Sequence, residues 1–322
     1  MKGCLVAVVG PTAAGKTAVA LHLAQALDGE IVSADSRQVY RLMTIGTAKP
    51  SPEELSRVPH HLIDILDPDG GLTLAEFQKM AYNAINAVLA RNRLPFLVGG
   101  TGQYVWAVLE GWQIPRVPPD RALRKELEAF AEEHGSEALH GRLAAKDPRA
   151  ARAIDHRNVR RVIRALEVCL KAGQPITELQ RRVPPPYDLH IFGLDHPREE
   201  LYRRIDARVD AMMGSGLLQE VERLAAAGYA WDLPSMTGLG YAQLGKYLRG
   251  EVTLEEAVSE IKTQTHRFVR QQYTWFRPDD PRIHWFDLSR ASADDVLAAA
   301  HAALRAPNNG LGTGQQDADF RG

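Results

Sequence analysis

The apolar positions of the first 115 residues alternate between two textures. LVAVV (5–9) is a short unbroken β-branched run, which reads as a strand buried on both faces. In TAVALHLAQAL (17–27) the apolar side chains recur at helical spacing, with Gly29 as a C-terminal cap. EIVSAD (30–35) reads as a second strand, and IGTAKPSPEE as a polar loop. A helix is predicted over 73–91, opened by Thr73 and Glu76 in capping-box positions, and PFLVGG (95–100) is a third buried strand. Strand alternating with helix predicts an α/β fold built on a parallel sheet flanked by helices.

The texture changes at IPRVPPD. From 120 to 182 every periodic segment is helical, and VPPPYD (183–188) closes the block before LHIFGLD (189–195) returns to strand. The pattern places an all-helical insertion domain at 116–187 within a core of 1–115 and 188–305. Further helices are predicted over 198–228 and 253–277. The Gly/Asn/Gln-rich segment 306–322 reads as a disordered tail.

Composition narrows the function classes. Formal charge is −1 over 322 residues, so any polyanion must be held by a local concentration of cations. The insertion supplies one, with 15 Lys/Arg against 10 Asp/Glu over 116–187. Around 157–170, Val159, Val162, Ile163, Leu166, Cys169 and Leu170 share one helical face, while Arg157, Arg160, Arg161 and Arg164 form a stripe on another. A solvated, salt-bridged face is the bland alternative for such a run. The two cysteines, Cys4 and Cys169, sit in apolar patterns without a CxxC spacing, which fits a reducing, cytoplasmic location. No segment reads as a secretory signal or a membrane span, and a monomer is the default expectation.

GPTAAGKT (10–17) carries the chemistry. It meets the spacing G-x-x-x-x-G-K-T between a strand and a helix, which predicts a phosphate-binding loop on a P-loop NTPase-like core. Gly10, Pro11, Thr12, Ala13, Ala14 and Gly15 form a loop whose backbone N–H groups, absent only at Pro11, wrap phosphate oxygens at a helix N-terminus; Lys16 adds a full charge, and the Thr17 hydroxyl can hold Mg²⁺. A kinase or ATPase of this kind needs a further magnesium carboxylate at a neighbouring strand end. PFLVGGTG offers none, and Asp35 in SADSRQVY reads as the one carboxylate at a strand end near the loop. That shortage hints that the phosphates are discarded rather than transferred.

GPTAAGKT, DSRQVY (35–40), IGTAKP (45–50), HHLIDI (60–65), VGGTGQY (98–104) and DLPSMTGLGY (232–241) together resemble the tRNA dimethylallyltransferase (tRNA isopentenyltransferase) family, over about residues 5–290. The resemblance implies transfer of a dimethylallyl group from dimethylallyl diphosphate to N6 of the adenosine 3′-adjacent to the anticodon. The tRNAs are those reading codons that start with U, met through the anticodon stem-loop, and diphosphate is released. It implies Asp35 as general base, with Lys16 and the loop residues 10–17 trapping the leaving group and Thr101 contacting the reaction centre. It also implies that Ser36, Arg37 and Gln38 read the target base, that Arg208 faces the diphosphate, and that Arg124 contacts tRNA beside the stripe of Arg160, Arg161 and Arg164. Asp35 and Thr101 can alternatively be helix caps, and Arg204 and Arg208 a solvated helical face. The chain departs from the family pattern at His266 and at Gln271.

Three rival readings remain at this point. They are prenyl transfer to a free adenine nucleotide, an ATP-dependent small-molecule kinase, and a nucleotide-binding RNA switch without transferase activity. The helical insertion argues against the first, and the missing strand-end acid against the second.

Overall fold

The computed structural model describes residues 3–115 and 117–305. In chain order the elements begin with β1 (Gly3–Val9), α1 (Lys16–Ala26), β2 (Gly29–Ser33), α2 (Pro52–Arg57), β3 (His60–His61), α3 (Leu74–Ala90), β4 (Leu94–Val98) and α4 (Gly102–Leu109). A helical run follows: α5 (Arg121–His134), α6 (Ser136–Lys146), α7 (Pro148–Ala153), α8 (Val159–Ala172) and α9 (Ile176–Leu179). The chain then returns through β5 (Tyr187–Asp195), α10 (Arg198–Gly214), α11 (Leu217–Ala226), α12 (Tyr241–Leu248), α13 (Leu254–Trp275), β6 (Ile283–Asp287) and α14 (Ala293–Arg305). It divides into two compact units, one holding residues 3–108 and 186–305, the other 109–115 and 117–185.

The first unit is built on a six-stranded, all-parallel sheet in the order β3-β2-β4-β1-β5-β6. Leu5 to Val9 are wholly buried, as expected of a strand covered on both faces. From β1 the chain crosses β4 to reach β2, whereas from β4 it crosses β1 to reach β5. The connections therefore diverge between β1 and β4. In open parallel sheets the crevice at the carboxyl ends of such strands is where ligands bind. One core joins α1, α10, α13 and α14 to the sheet through Val8, Leu23, Leu201, Ile205, Val269 and Val296. A second packs Met43, Leu217, Val221, Met236, Tyr241, Leu244 and Ile261 beneath the 39–45 segment.

The second unit has its own core of Leu127, Leu139, Leu143, Ile154, Val162, Ile163, Leu166, Val168 and Ile176. Among the described residues no helix is long and apolar enough to cross a membrane.

Several elements depart from the sequence reading. Gly29 does not cap α1. Asp28 takes the left-handed conformation, and Gly29 already begins β2, where a Cβ would lie 2.3 Å from the Phe96 ring. The predicted helix 198–228 is broken at Ser215 and Gly216 into α10 and α11. Leu170 is 45% exposed and not part of the apolar face of α8; the buried face instead includes Glu167. The elements α2, β3, α4, α12, β6 and α14 lie beyond what the sequence reading named, and α2 begins at Pro52 within the stretch read as a polar loop. The tail assigned to 306–322 falls outside the described residues.

Candidate active site

Gly10 leaves β1 at φ 138, and a Cβ there would sit 2.2 Å from the Leu194 carbonyl oxygen, so only glycine passes between β1 and β5 at this point. The loop then turns through Ala13 at φ 67 and Gly15 at φ 90 into α1, whose first residue is Lys16. Lys16 Nζ donates to the Pro11 carbonyl at 2.8 Å, and Arg204 Nε donates to the Ala13 carbonyl at 3.0 Å. Thr17, second in α1, is half-buried.

On the facing side β4 ends in Val98, and Gly99 and Gly100 lead into α4. A Cβ on Gly100 would lie 3.4 Å from Lys16 Nζ, so the absence of a side chain lets the ammonium approach the second loop. Thr101 follows: its Oγ1 accepts from the Ser36 N–H at 3.1 Å and lies 3.4 Å from Ser36 Oγ. It thereby ties the loop after β4 to the loop after β2. The carbonyl of Thr101 also receives the N–H of Val105 at 3.0 Å, so the residue opens α4 as well.

Asp35 lies two residues beyond the end of β2. Its Oδ1 accepts the N–H of Arg37 at 2.8 Å and that of Gln38 at 3.4 Å, an Asx-type turn that aims the carboxylate. No helix begins after Asp35, so it closes a turn rather than capping a helix. Ser36, Arg37 and Gln38 are half-buried in the same turn. Arg37 Nη1 donates to the Pro234 carbonyl. Gln38 accepts from Ser33 Oγ at 3.1 Å and donates to the Ala48 carbonyl at 3.2 Å. The IGTAKP loop that packs here is held by the buried Glu220, whose carboxylate accepts the N–H groups of Thr44, Ile45 and Gly46 and the Tyr241 hydroxyl.

Three charges act on one another at the centre. Burial pushes the Lys16 pKa down to about 8; Asp35 opposes that shift and Arg208 adds to it. Burial likewise pushes the Arg208 pKa down, against the pull of Asp35. Among the described residues Arg208 has no hydrogen bond or ion pair. Two half-buried cations therefore share one carboxylate, an arrangement that favours an added anion.

Sheet order corrects one argument from sequence. β5 pairs with β1 in parallel register, so Asp195 is a second strand-end carboxylate beside the loop strand. Its Oδ1 accepts the Tyr273 hydroxyl at 2.7 Å, and burial pushes its pKa up. The order of strands, which periodicity does not contain, was needed to find it. The shortage of acids near the loop is therefore less complete than the sequence alone suggests.

In the second unit, Arg124 pairs bidentately with Glu167 at 2.8 and 2.7 Å, and Arg164 adds a third contact at 2.5 Å. Glu167 is wholly buried; burial pushes its pKa up, but these bonds and the Asp120 N–H prevail and hold it at about 2. Arg160 is exposed and Arg161 half-buried, with its pKa pushed down by burial. Of the 265–277 stretch, Val269 and Phe276 are core, whereas Phe268 is 37% exposed. At the position of family departure, His266 lies 3.0 Å from Asp206 and stacks on Tyr202 with ring centroids 4.1 Å apart.

Comparison with known proteins agrees with this geometry. The family model described as IPP transferase matches residues 38–279. A tRNA dimethylallyltransferase of Roseiflexus castenholzii is 55% identical over 301 residues, covering 94% of this chain and 97% of its own. The full-length tRNA isopentenylpyrophosphate transferase of Bacillus halodurans superposes with a TM-score of 0.70 at 44% identity, covering 94% of this chain and 96% of its own. A eukaryotic dimethylallyltransferase solved acting on tRNA gives 0.75 at 25% identity, covering 93% of this chain and 77% of its own. With its phosphate loop, its DSRQVY turn and its GGT loop gathered at one sheet crevice, the chain belongs to the tRNA dimethylallyltransferase family.

Proposed function

We propose that this chain transfers a dimethylallyl group from dimethylallyl diphosphate to N6 of the adenosine next to the anticodon, at position 37, in tRNAs that read codons beginning with U. The observation that carries the chemistry is the convergence of Lys16, Arg208 and Asp35 between the loops that follow β1 and β2. Two cations there face one carboxylate, and a diphosphate would restore the balance.

The allylic C–O bond breaks as the C–N bond forms, and negative charge builds on the departing diphosphate. Backbone N–H groups of Ala13 and of Gly15 to Thr17, with Lys16 and Arg208, are placed to take up that charge, and one such donor is typically worth about 3 kcal/mol. Arg204, bonded to Ala13, holds the outer wall of the loop. The exocyclic amine is a weak nucleophile, because its lone pair is shared with the purine ring. Asp35 receives its proton while the Arg37 and Gln38 N–H groups hold the carboxylate in place. Thr101, with Ser36, borders the same turn and would meet the flipped base with Arg37 and Gln38.

Mg²⁺ suits the donor set. The ion commonly uses one or two protein oxygens and completes its shell with substrate phosphates and water. Thr17 supplies a hydroxyl for it, and among the described residues no cluster of three His, Cys, Asp or Glu forms a protein cage. Bound with the donor, Mg²⁺ would neutralise part of the diphosphate charge.

For tRNA, Arg160 is the exposed member of the stripe and Arg161 lies half-buried beside it, with Arg124 and Arg164 contributing the exposed parts of their side chains. The free cysteines fit a cytoplasmic enzyme. The decisive experiment incubates the protein with labelled dimethylallyl diphosphate, Mg²⁺ and unmodified tRNA, then digests the tRNA to nucleosides. Label in N6-modified adenosine is expected. Brisk ATP hydrolysis with no label in tRNA would overturn the reading.

A further inference from the structure

Gln272 belongs to neither the phosphate loop nor the acceptor turn, yet it touches the loop on each side of the crevice. It lies on α13 and is 3% exposed. Its Oε1 accepts the Thr12 N–H at 2.8 Å, and its Nε2 donates to the Gly100 carbonyl at 2.9 Å. The two partners leave the carboxamide one orientation, because a backbone N–H can pair only with the oxygen and a carbonyl only with the nitrogen. A Cβ on Gly100 would lie 2.5 Å from Nε2, so the contact also needs a glycine there.

The location gives this pair of bonds its importance. β1 and β4 are held in register through Val8 and Val98, and Gly99 still donates to the Val8 carbonyl at 3.2 Å. Past that point the sheet ladder ends and the two loops part. One leads through Thr12 to Lys16, the other through Gly100 to Thr101. Gln272 joins them across the gap. Its helix is itself anchored three residues on, where the Trp275 carbonyl accepts from Trp106 Nε1 at 2.8 Å and the Trp275 ring lies against Gly102.

We propose that Gln272 is a positioning residue for the transfer reaction. Its carboxamide sets the spacing between the diphosphate cradle and the Thr101 hydroxyl, so that the parting carbon and the acceptor amine meet at bonding distance. The proposal rests on the reaction described above. A tie of this kind acts on kcat more than on binding, because each substrate can still be held by its own loop.

The test compares steady-state transfer and thermal melting for the full chain and for Gln272→Met, Thr101→Val and the double variant. Methionine fills a similar volume and makes neither bond. For Gln272→Met, kcat is expected to fall about 10- to 100-fold, with KM for tRNA changed less than about twofold. Inorganic pyrophosphate should still raise its melting temperature. The double variant should fall no further than the worse single one, since both act through the Gly100–Thr101 segment. Wild-type kcat in Gln272→Met, a loss confined to KM for tRNA, or multiplicative losses in the double variant would overturn the proposal. Should Gln272→Met lose its cooperative melt, Gln272→Glu decides. It keeps the acceptor for Thr12 but sets an oxygen against the Gly100 carbonyl, so the same fall in kcat is expected and an unchanged kcat refutes the role. Failure of both variants to fold would assign Gln272 to stability alone and likewise overturn the proposal. A wild-type chain that transfers nothing removes the reaction itself, an outcome distinct from all of these.

Discussion

The crevice of the sheet unit and the arginine stripe of the helical unit both gather positive charge, but they treat it differently. In the crevice, Lys16 and Arg208 share the single carboxylate of Asp35, and burial pushes both of their pKa values down. In the helical unit, Arg124 and Arg164 close on Glu167, whose carboxylate is wholly buried and held at about 2. The first arrangement keeps an electrostatic cost in the unliganded protein that an anion can relieve. The second uses its charge internally, to let a carboxylate sit in a helical core. A run of basic residues in a sequence therefore does not announce a binding surface; what matters is how much of its charge is already matched.

The largest effect expected is on the crevice. Asp35→Ala should lower kcat for transfer by about 100- to 10,000-fold while tRNA binding, measured by filter retention, stays close to wild type. Lost binding with normal turnover at saturation would move Asp35 out of the chemistry. Lys16→Ala follows, with a loss of about 100- to 1,000-fold in use of the diphosphate donor. An unchanged rate would mean that the loop is not the cradle.

On the other side of the comparison, Arg124→Ala leaves Glu167 buried with its bidentate partner gone. A loss of about 3 kcal/mol in the stability of the helical unit is expected, read as an earlier transition in urea. If the melt does not move, the arginine is not matched internally and the contrast fails. The same pair carries a pH signature. Glu167 has a folded pKa below its ordinary 4.5, so its contribution is present above that value and lost as pH falls towards about 2. Lys16 has the opposite sign. Its folded pKa of about 8 lies below the ordinary 10.5, so the unfolded chain binds more protons between them and stability gains as pH rises through that window. Added pyrophosphate should shrink that gain, because a bound anion draws the lysine pKa back up.

The smallest effect is expected from Arg160→Ala, which is exposed and should weaken tRNA binding by a few-fold and lower the salt slope by about one. A slope that does not change would leave Arg160 as a solvated side chain.

Much of this was legible before any coordinates. The strand-loop-helix setting of GPTAAGKT is local, and so is the capping box at Thr73, where Glu76 accepts the Thr73 N–H at 2.8 Å and returns its own to Thr73 Oγ1 at 3.2 Å. What escaped was non-local. Asp195 and Gly10 become neighbours only because β5 pairs with β1, and Glu167 is an unremarkable acid until two arginines from different positions meet it. Gln272 fell within a stretch whose departures from family pattern drew attention to its neighbours. Its value lies in two backbone atoms, which no side-chain pattern encodes. Leu170 was misplaced for a related reason: helical periodicity locates a face, but the width of its buried part is set by what packs against it.

The place of β1 in the sheet also governs how the chain is made. One flank of β1 is covered by β4, while the other waits for β5, whose residues leave the ribosome only after the whole helical unit has been translated. Throughout that interval the nascent half-sheet carries an open strand edge of wholly apolar residues, Leu5 to Val9, a template for pairing with a stranger. A chain stopped before residue 187 would keep that edge for good, so premature termination in the helical unit should produce aggregates rather than a smaller working protein.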